Sequence, residues 1–347
     1  GAGPVADIVI SSRVRLARNL EQIPFATRAT KASQAEVLRV VREGLQQVPS
    51  LRESLFLQLD ELDEVNRQFL VERHLVSREH ASTPQSRAVA IGQGEVISIM
   101  VNEEDHLRIQ VMQSGLNLRS AWAIIDELDD ELSAALPYAY STEWGYLTCC
   151  PTNTGTGMRA SVMLHLPALV MTKEINKVLH AIAKLGLTAR GLYGEGTEAS
   201  GNFFQISNQV ALGRTEDELL ENIERIIQQV ISHEQTARER LVTNNRLQLE
   251  DRIWRAYGIL RHAQTISSGE TLDLLSAVRL GVDLQLMTTD GQSSAAPKPI
   301  TLDRTTVNDL LIFSQPAHLQ KLEGTKLSAQ ERDAKRASLI RCRLGQK

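Results

Sequence analysis

Residues 88–112 read AVAIGQGEVISIMVNEEDHLRIQVM, and the spacing of apolar residues in this stretch decides the fold. Apolar side chains alternate on both sides of a Gly-Gln-Gly turn at 92–94, and the alternation resumes after the polar corner NEEDH at 102–106. Links this short join strands only as hairpins, because a parallel crossover needs a dozen or more residues. The stretch therefore spells an antiparallel meander. On its N-terminal side, Val37, Leu38, Val40, Val41, Leu45 and Val48 recur at helical spacing after Ser33, a fair cap, and LDEVNRQFLVERHL (62–75) is a second amphipathic helix. On its C-terminal side come a helix at 116–132, strands at GYLTCC (145–150) and SVMLHLPAL (161–169), and a helix at KEINKVLHAIAKLG (173–186). Strands follow at LTARGLYG (187–194) and NFFQISNQVALG (202–213). Hairpin-length links favour an α+β architecture, an antiparallel sheet flanked by helices, over a doubly wound parallel one.

From Thr215 the pattern changes to one long amphipathic helix, TEDELLENIERIIQQVISHEQTARERL, and the periodic segments beyond it are all helical. They are interrupted by TTDGQSSAAPKP at 288–299, a loop composition. We place a domain boundary near residue 242, giving a mixed domain over 1–242 and an all-α domain over 243–347.

The chain has 347 residues, 42% of them hydrophobic, which supports a substantial core without staples. A net charge of -4 gives no overall basic field, so neither nucleic acid nor an anionic membrane is an expected partner. No apolar run reaches the length of a membrane span and no signal pattern opens the chain. Cys149, Cys150 and Cys342 form no zinc-spaced set, and reduced thiols in a cytoplasmic protein are the simplest reading.

Several motifs carry possible chemistry. In CCPTNTGTGMR (149–159) the glycines and threonines suit a phosphate loop, but Gly157 is followed by Met158 and Arg159 rather than by Lys-Ser/Thr, so it is not a P-loop. If phosphate binds there, arginine holds it. Arg13 and Arg15 stand two apart in an extended segment and share one face of a sheet. Arg108 and Arg190 lie at strand ends beside carboxylates. Taken singly, each motif reads equally well as a solvated face or a charged turn.

Jointly they do not. SSRVRLARN (11–19), NEEDHLR (102–108), CPTNTGTGMRASVMLHLP (150–167) and RGLYGEGTE (190–198) have the order and spacing of the phosphagen kinases, ATP-dependent guanidino phosphotransferases, and the resemblance spans roughly residues 5–242. Within that superfamily the chain is similar to the McsB-type bacterial protein-arginine kinases, whose extra helical domain would account for 243–347. Creatine and arginine kinases carry a small helical domain before the SSRVR-like motif. Here ten residues precede Ser11, so part of the lid over a small substrate should be missing, leaving room for an arginine held in a polypeptide.

The resemblance implies the following roles. Arg13, Arg15, Arg108, Arg159 and Arg190 surround the nucleotide phosphates, and His74 lies beside adenine and ribose. Glu104 and Glu195 grip the guanidinium, Asp105 is a supporting acid, and Glu103 and Glu198 are further acids of open role. Cys150 borders the acceptor, as a reactive thiol or as inert packing, and Cys149 packs on the other side of its strand. ATP arrives with Mg2+, for which no protein ligand is assigned. In the helical domain, Arg332 and Asp333 of the ERD segment match a pair that binds phosphoarginine at a second pocket, although such charges also suit a solvated helix face. Implied partners are arginine-bearing protein substrates, an activator protein, Clp-type protease machinery and a second copy in a homodimer. A free-arginine kinase and a noncatalytic adaptor are the rival functions.

Overall fold

A computed structural model describes residues 3–191, 199–287 and 302–345. Eight strands form one sheet: β1 (Val9–Arg18), β2 (Leu55–Gln58), β3 (Ala88–Ile91), β4 (Ile97–Val101), β5 (Leu107–Ser114), β8 (Met158–His165), β9 (Leu187–Gly191) and β10 (Phe203–Asn208). A separate small hairpin joins β6 (Tyr140–Ser141) to β7 (Gly145–Tyr146). The sheet order is β2-β3-β4-β5-β1-β8-β10-β9, and every pairing is antiparallel. The expected meander is β3-β4-β5. At its corner Asn102 adopts φ 61, and the turn closes through Asn102 N–H to the His106 carbonyl, 2.9 Å, and Glu103 N–H to that of Asp105, 3.1 Å.

Three expectations needed correction. SVMLHLPAL leaves the sheet at His165, and Pro167–Met171 is a short helix opened by its proline. GYLTCC is strand only at Gly145–Tyr146, because the Thr148 hydroxyl and the Asn153 amide both bond the Cys150 carbonyl (2.7 and 2.9 Å) and curl the chain into turns. Ser33 is not the cap of the first helix. Thr30 is, and Ser33 is its reciprocal partner in a capping box.

The helices are α1 (Lys31–Gln47), α2 (Glu64–Glu72), α3 (Arg78–Ser82), α4 (Leu118–Ala135), α5 (Pro167–Met171), α6 (Ile175–Lys184) and α7 (Glu216–Asn244), followed by α8 (Arg246–His262), α9 (Ser268–Asp283), α10 (Arg304–Phe313), α11 (Pro316–Glu323) and α12 (Ala329–Gly345). Alternation along the strands sorts the sheet into two faces. Val14, Leu16, Ile109, Val111, Ala160 and Val162 lie in one buried core with Ile125 and Leu128 of α4 and Leu220 and Ile223 of α7. That face is closed, which leaves the polar positions of the same strands on the other. There α2 and α3 cover only the β3–β4 end, through a small second core that includes Leu70, Val89 and Met100.

The C-terminal helices pack beside the sheet, α9 against α5 and the turn at 200–202 and α11 against α2, and α10 reaches the open face. Residue 242 falls inside α7, which is continuous from Glu216 to Asn244, and the main core runs on through Leu249 and Ile253 of α8 and Leu275 of α9. The seam is polar as well as apolar. Arg279 of α9 is fully buried and donates to the carbonyls of Ala6 (2.6 Å) and Asp7 (2.9 Å).

Candidate active site

The strand registers bring the expected arginines together. Arg15 lies opposite Arg159 on one side and Gln110 on the other, Arg13 opposite Ser161 and Met112, and Arg190 opposite Gln205. Directly paired residues share a face, as do residues two apart in a strand, so Arg13, Arg15, Arg108, Arg159 and Arg190 all project from the open face. They line a cleft of about 910 Å³ together with His74, Glu103, Glu104 and Cys150.

Few anions balance this charge. Arg108 pairs with Glu103 (2.9 Å) and Glu104 (2.8 Å), whereas Arg13 has only neutral partners among the described residues: Gln205 (3.1 Å), Gln110 (3.4 Å) and the Ser161 hydroxyl (3.4 Å). Arg159 donates to the Ser207 hydroxyl at 3.1 Å. Burial, together with the neighbouring Arg108 and Arg159, pushes the Arg13 guanidinium down to about 10. Arg15 is pushed well below its ordinary value by burial, then by Arg13, Arg108 and Arg159, and its buried Nε has no hydrogen-bond partner among the described residues. A cluster of cations that repel one another, with neutral acceptors on Arg13 and Arg159 and carboxylates only on Arg108, is a standing demand for an anion with several oxygens. Planar guanidinium forks meet that demand bidentately.

The NEEDH corner divides its acids. Glu103 is buried and accepts from the Ser77 hydroxyl, 2.8 Å, and the Glu104 amide, 2.8 Å. Burial pushes it up, but Arg108, Ser77 and that amide outweigh burial and hold it below the ordinary carboxylate value. Glu104 is the exposed member, its side chain 45% accessible. Asp105 turns away from the cleft. Fully buried, it accepts from Asn19 Nδ2 at 2.6 Å and the Cys149 amide at 2.7 Å, so it anchors the 147–150 loop instead of facing a substrate. Cys149 lies beside it, and burial followed by the Asp105 charge pushes its thiol up to about 11. Cys150 reaches the cleft wall with Sγ 3.0 Å from Thr152 Oγ1.

His74 sits just beyond the end of α2 at φ 59, with its carbonyl held by Gln110 Nε2 at 2.8 Å. Burial, then Arg13 and Arg78, lower its imidazole to about 4, so the ring is neutral at pH 7. Beyond Arg13 and His74 the cleft opens into a second chamber of about 380 Å³, whose sheet wall includes Met112, Met163 and Phe203. These continue the same period-two rows as Arg108, Arg159 and Gln205, so the open face passes along the strands from cationic to apolar.

Glu195 and Glu198, expected in the site, lie outside the described residues. Sequence reasoning missed Gln110, Ser161, Gln205 and Ser207, which aim the arginines, and Ser77, Arg78, Glu79 and Arg87 on the opposite wall. The period-two rows could have yielded the first four. The others follow helix caps and turns, which carry no period. In the C-terminal region Ser328 caps α12 reciprocally with Glu331. Arg332 donates to the Leu327 carbonyl at 3.0 Å, and Asp333 pairs with the buried Arg336 at 2.5 Å.

Residues 36–237, more than half of the chain, match the ATP:guanido phosphotransferase C-terminal catalytic domain. The chain belongs to the ATP:guanido phosphotransferase family. Residues 246–347 match the protein-arginine kinase McsB C-terminal domain, so the two matched segments meet across the junction of α7 and α8. Relatives named protein-arginine kinase include that of Halothermothrix orenii, 48% identical over 99% of this chain and 95% of the relative, and that of Symbiobacterium thermophilum, 49% identical over 99% and 95%. Among solved structures, the duplicated taurocyamine kinase of Schistosoma mansoni with bound transition-state-analogue components gives a TM-score of 0.61 at 30% identity, over 68% of this chain and 34% of that one. Lombricine kinase gives 0.59 at 25%, over 66% and 67%. This family member therefore has the phosphagen-kinase-like fold, with an antiparallel sheet flanked by helices and a helical C-terminal region.

Proposed function

We propose that this family member is a protein-arginine kinase, transferring the γ-phosphoryl group of ATP to the guanidinium of arginine residues in proteins. The observation that carries this reading is the convergence of five arginines on one sheet face beside an exposed glutamate, Glu104. Free-arginine kinase activity is the alternative within the same chemistry. We take residues 1–242 as the catalytic domain and 243–347 as the helical domain.

In this reading Arg13, Arg15, Arg108, Arg159 and Arg190 hold the triphosphate, and His74 borders the base and ribose. Neutralising charge over the transferring group and holding it in line is most of what phosphoryl transfer requires. The acceptor guanidinium approaches Glu104, with Glu195 as its second carboxylate and Cys150 at its edge. Removing a proton from a guanidinium of pKa above ~12 before attack at neutral pH would cost on the order of 7 kcal/mol at ~1.36 kcal/mol per unit. Glu104 therefore takes the proton as the P–N bond forms and the bond to the departing ADP oxygen breaks. Arg108, now shared between Glu103 and Glu104, turns to the phosphates when they arrive and releases Glu104 to the substrate. Asp105 supports this arrangement indirectly, by fixing the loop that carries Cys150.

Among the described residues no three metal-ligating side chains cluster. Magnesium carried by the ATP phosphates, met through water by Glu103 and Glu104, would supply further neutralisation of phosphate charge. Arg332 and Asp333 are proposed as a second, phosphoarginine-binding site. Protein substrates, an activator protein, Clp-type protease machinery, a homodimer and a cytoplasmic location complete the proposal. No helix among the described residues is long and apolar enough to cross a membrane.

Mass spectrometry of an arginine-containing protein incubated with the kinase and ATP, handled without acid because the P–N bond is labile, is the direct test. Phosphoarginine on the protein with little turnover of free arginine is expected. The reverse preference would make the chain a free-arginine kinase.

A further inference from the structure

The chamber beyond His74 is walled on its far side by the C-terminal helices. Leu272 of α9 reaches it, and α10 presents Asn308, Leu311, Ile312 and, just past its end, Gln315. These four stand at i, i+3, i+4 and i+7, one stripe of a helix. A different stripe of α10, Val307 and Leu310, is buried in the main core. The chamber-side stripe is covered by protein only in part: Leu311 is half-buried against the main core, with the polar Asn308 and Gln315 to either side. Ile312 is 43% exposed on that stripe, looking across at Met112 and Met163 of the sheet. The chamber shares Arg13, His74 and Gln205 with the cationic cleft, so one elongated ligand can occupy both.

We infer that α10 of the C-terminal domain forms part of the nucleotide site: Leu311 and Ile312 pack against the base of ATP while the sheet arginines hold its phosphates. A nucleotide matches this composite cavity because it carries a flat, largely apolar ring at one end and a polyanion at the other. The inference rests on the kinase reading above and adds a consequence. A ligand that touches both walls is bound more tightly when the seam is closed, and by linkage it closes the seam in return. The helical domain is therefore coupled to ATP directly, through the base.

The test compares ATP with inorganic tripolyphosphate, which has the charge but no base, on the full chain by calorimetry. Ile312→Asp places a charge where the base should pack, and Leu311→Trp fills the chamber. Both should weaken ATP binding about tenfold or more, since each removes the apolar surface on which the base is buried. Tripolyphosphate should bind both variants as it binds wild type, which also reports that the cleft is intact. Amide exchange across 304–313 should slow with ATP and not with tripolyphosphate. Wild-type ATP affinity in both variants would overturn the role of α10, as would an equal loss for tripolyphosphate, which would signal a structural effect. If wild type itself binds neither ligand, the kinase reading fails first.

Discussion

Glu104 and Arg108 are four residues apart and pair with each other at 2.8 Å. Their separation by substrate is the step on which the proposed chemistry turns. Glu104→Gln keeps the shape and the hydrogen-bonding capacity but loses both the charge and the proton acceptor. Transfer should fall ~10²-fold or more, with ATP affinity unchanged or slightly raised, because Arg108 is then freer to meet phosphate. Single-turnover kinetics with a calorimetric Kd measure both quantities, and turnover above a tenth of wild type would remove Glu104 from the proton-accepting role. Arg159 tests the phosphate fan. Arg159→Ala deletes charge-assisted hydrogen bonds worth roughly 1.5–3 kcal/mol each, so nucleotide affinity should drop at least tenfold. Arg159→Lys should recover only part of it, because a point charge cannot replace a fork aimed by Ser207. A fully active lysine variant would show that position and charge suffice.

At the level of elements, much of the site was legible because a strand repeats every two residues. Once ISSRVR is a strand, Arg13 and Arg15 share a face, and the registers then set Gln110 and Arg159 on that face, directly opposite Arg15. Acids in corners are harder to read. NEEDH places Glu103 and Glu104 toward the cleft and Asp105 inward because Asn102 turns through φ 61, and nothing in the residue order announces that pivot. The cysteines fail for a related reason: a run such as LTCC has strand propensity, but its backbone is claimed by local turn bonds and by buried Asp105. The far wall of the base chamber was illegible, since it requires knowing that α9 and α10, which begin at Ser268 and Arg304, return to the face that β1 lays down at Val9–Arg18. Gly157 is the glycine that ties the packing of β1 to the start of β8. At φ 66 it carries the chain into β8, and a Cβ there would meet the Ala17 carbonyl at 2.7 Å and the Arg18 guanidinium. Gly157→Ala must then distort the start of β8, two residues before Arg159. It should cost ~1–3 kcal/mol of stability, visible in denaturant melts, and lower ATP affinity as well. A stable variant with normal ATP binding would show that the approach of β1 to this turn is adaptable.

Across the whole molecule, catalytic sheet and C-terminal helices are joined by buried polar groups whose partners lie on opposite sides of the seam. Glu72, at the end of α2 and two residues before His74, accepts from the amides of Ala317 (2.8 Å) and His318 (3.0 Å) and from His318 Nδ1 (2.8 Å), so a catalytic-domain carboxylate caps the N-terminus of α11. Phe69 and Phe313 enclose the His318 ring, which keeps water from replacing the carboxylate. Truncation at this point is costly because it removes one acceptor from three buried donors at once. Glu72→Ala should therefore destabilise the protein by about 3–5 kcal/mol, whereas Glu72→Gln, which retains one acceptor, should cost clearly less. Since Glu72 leads directly into His74, loosening the cap should also weaken nucleotide binding, and saturating ATP should recover part of the lost stability through linkage. Denaturant unfolding of both variants, with and without ATP, measures each term. A Glu72→Ala loss below about 1 kcal/mol would mean that the two regions are held together by their apolar core alone. A full loss that ATP does not offset would leave the seam structural and uncoupled from the nucleotide.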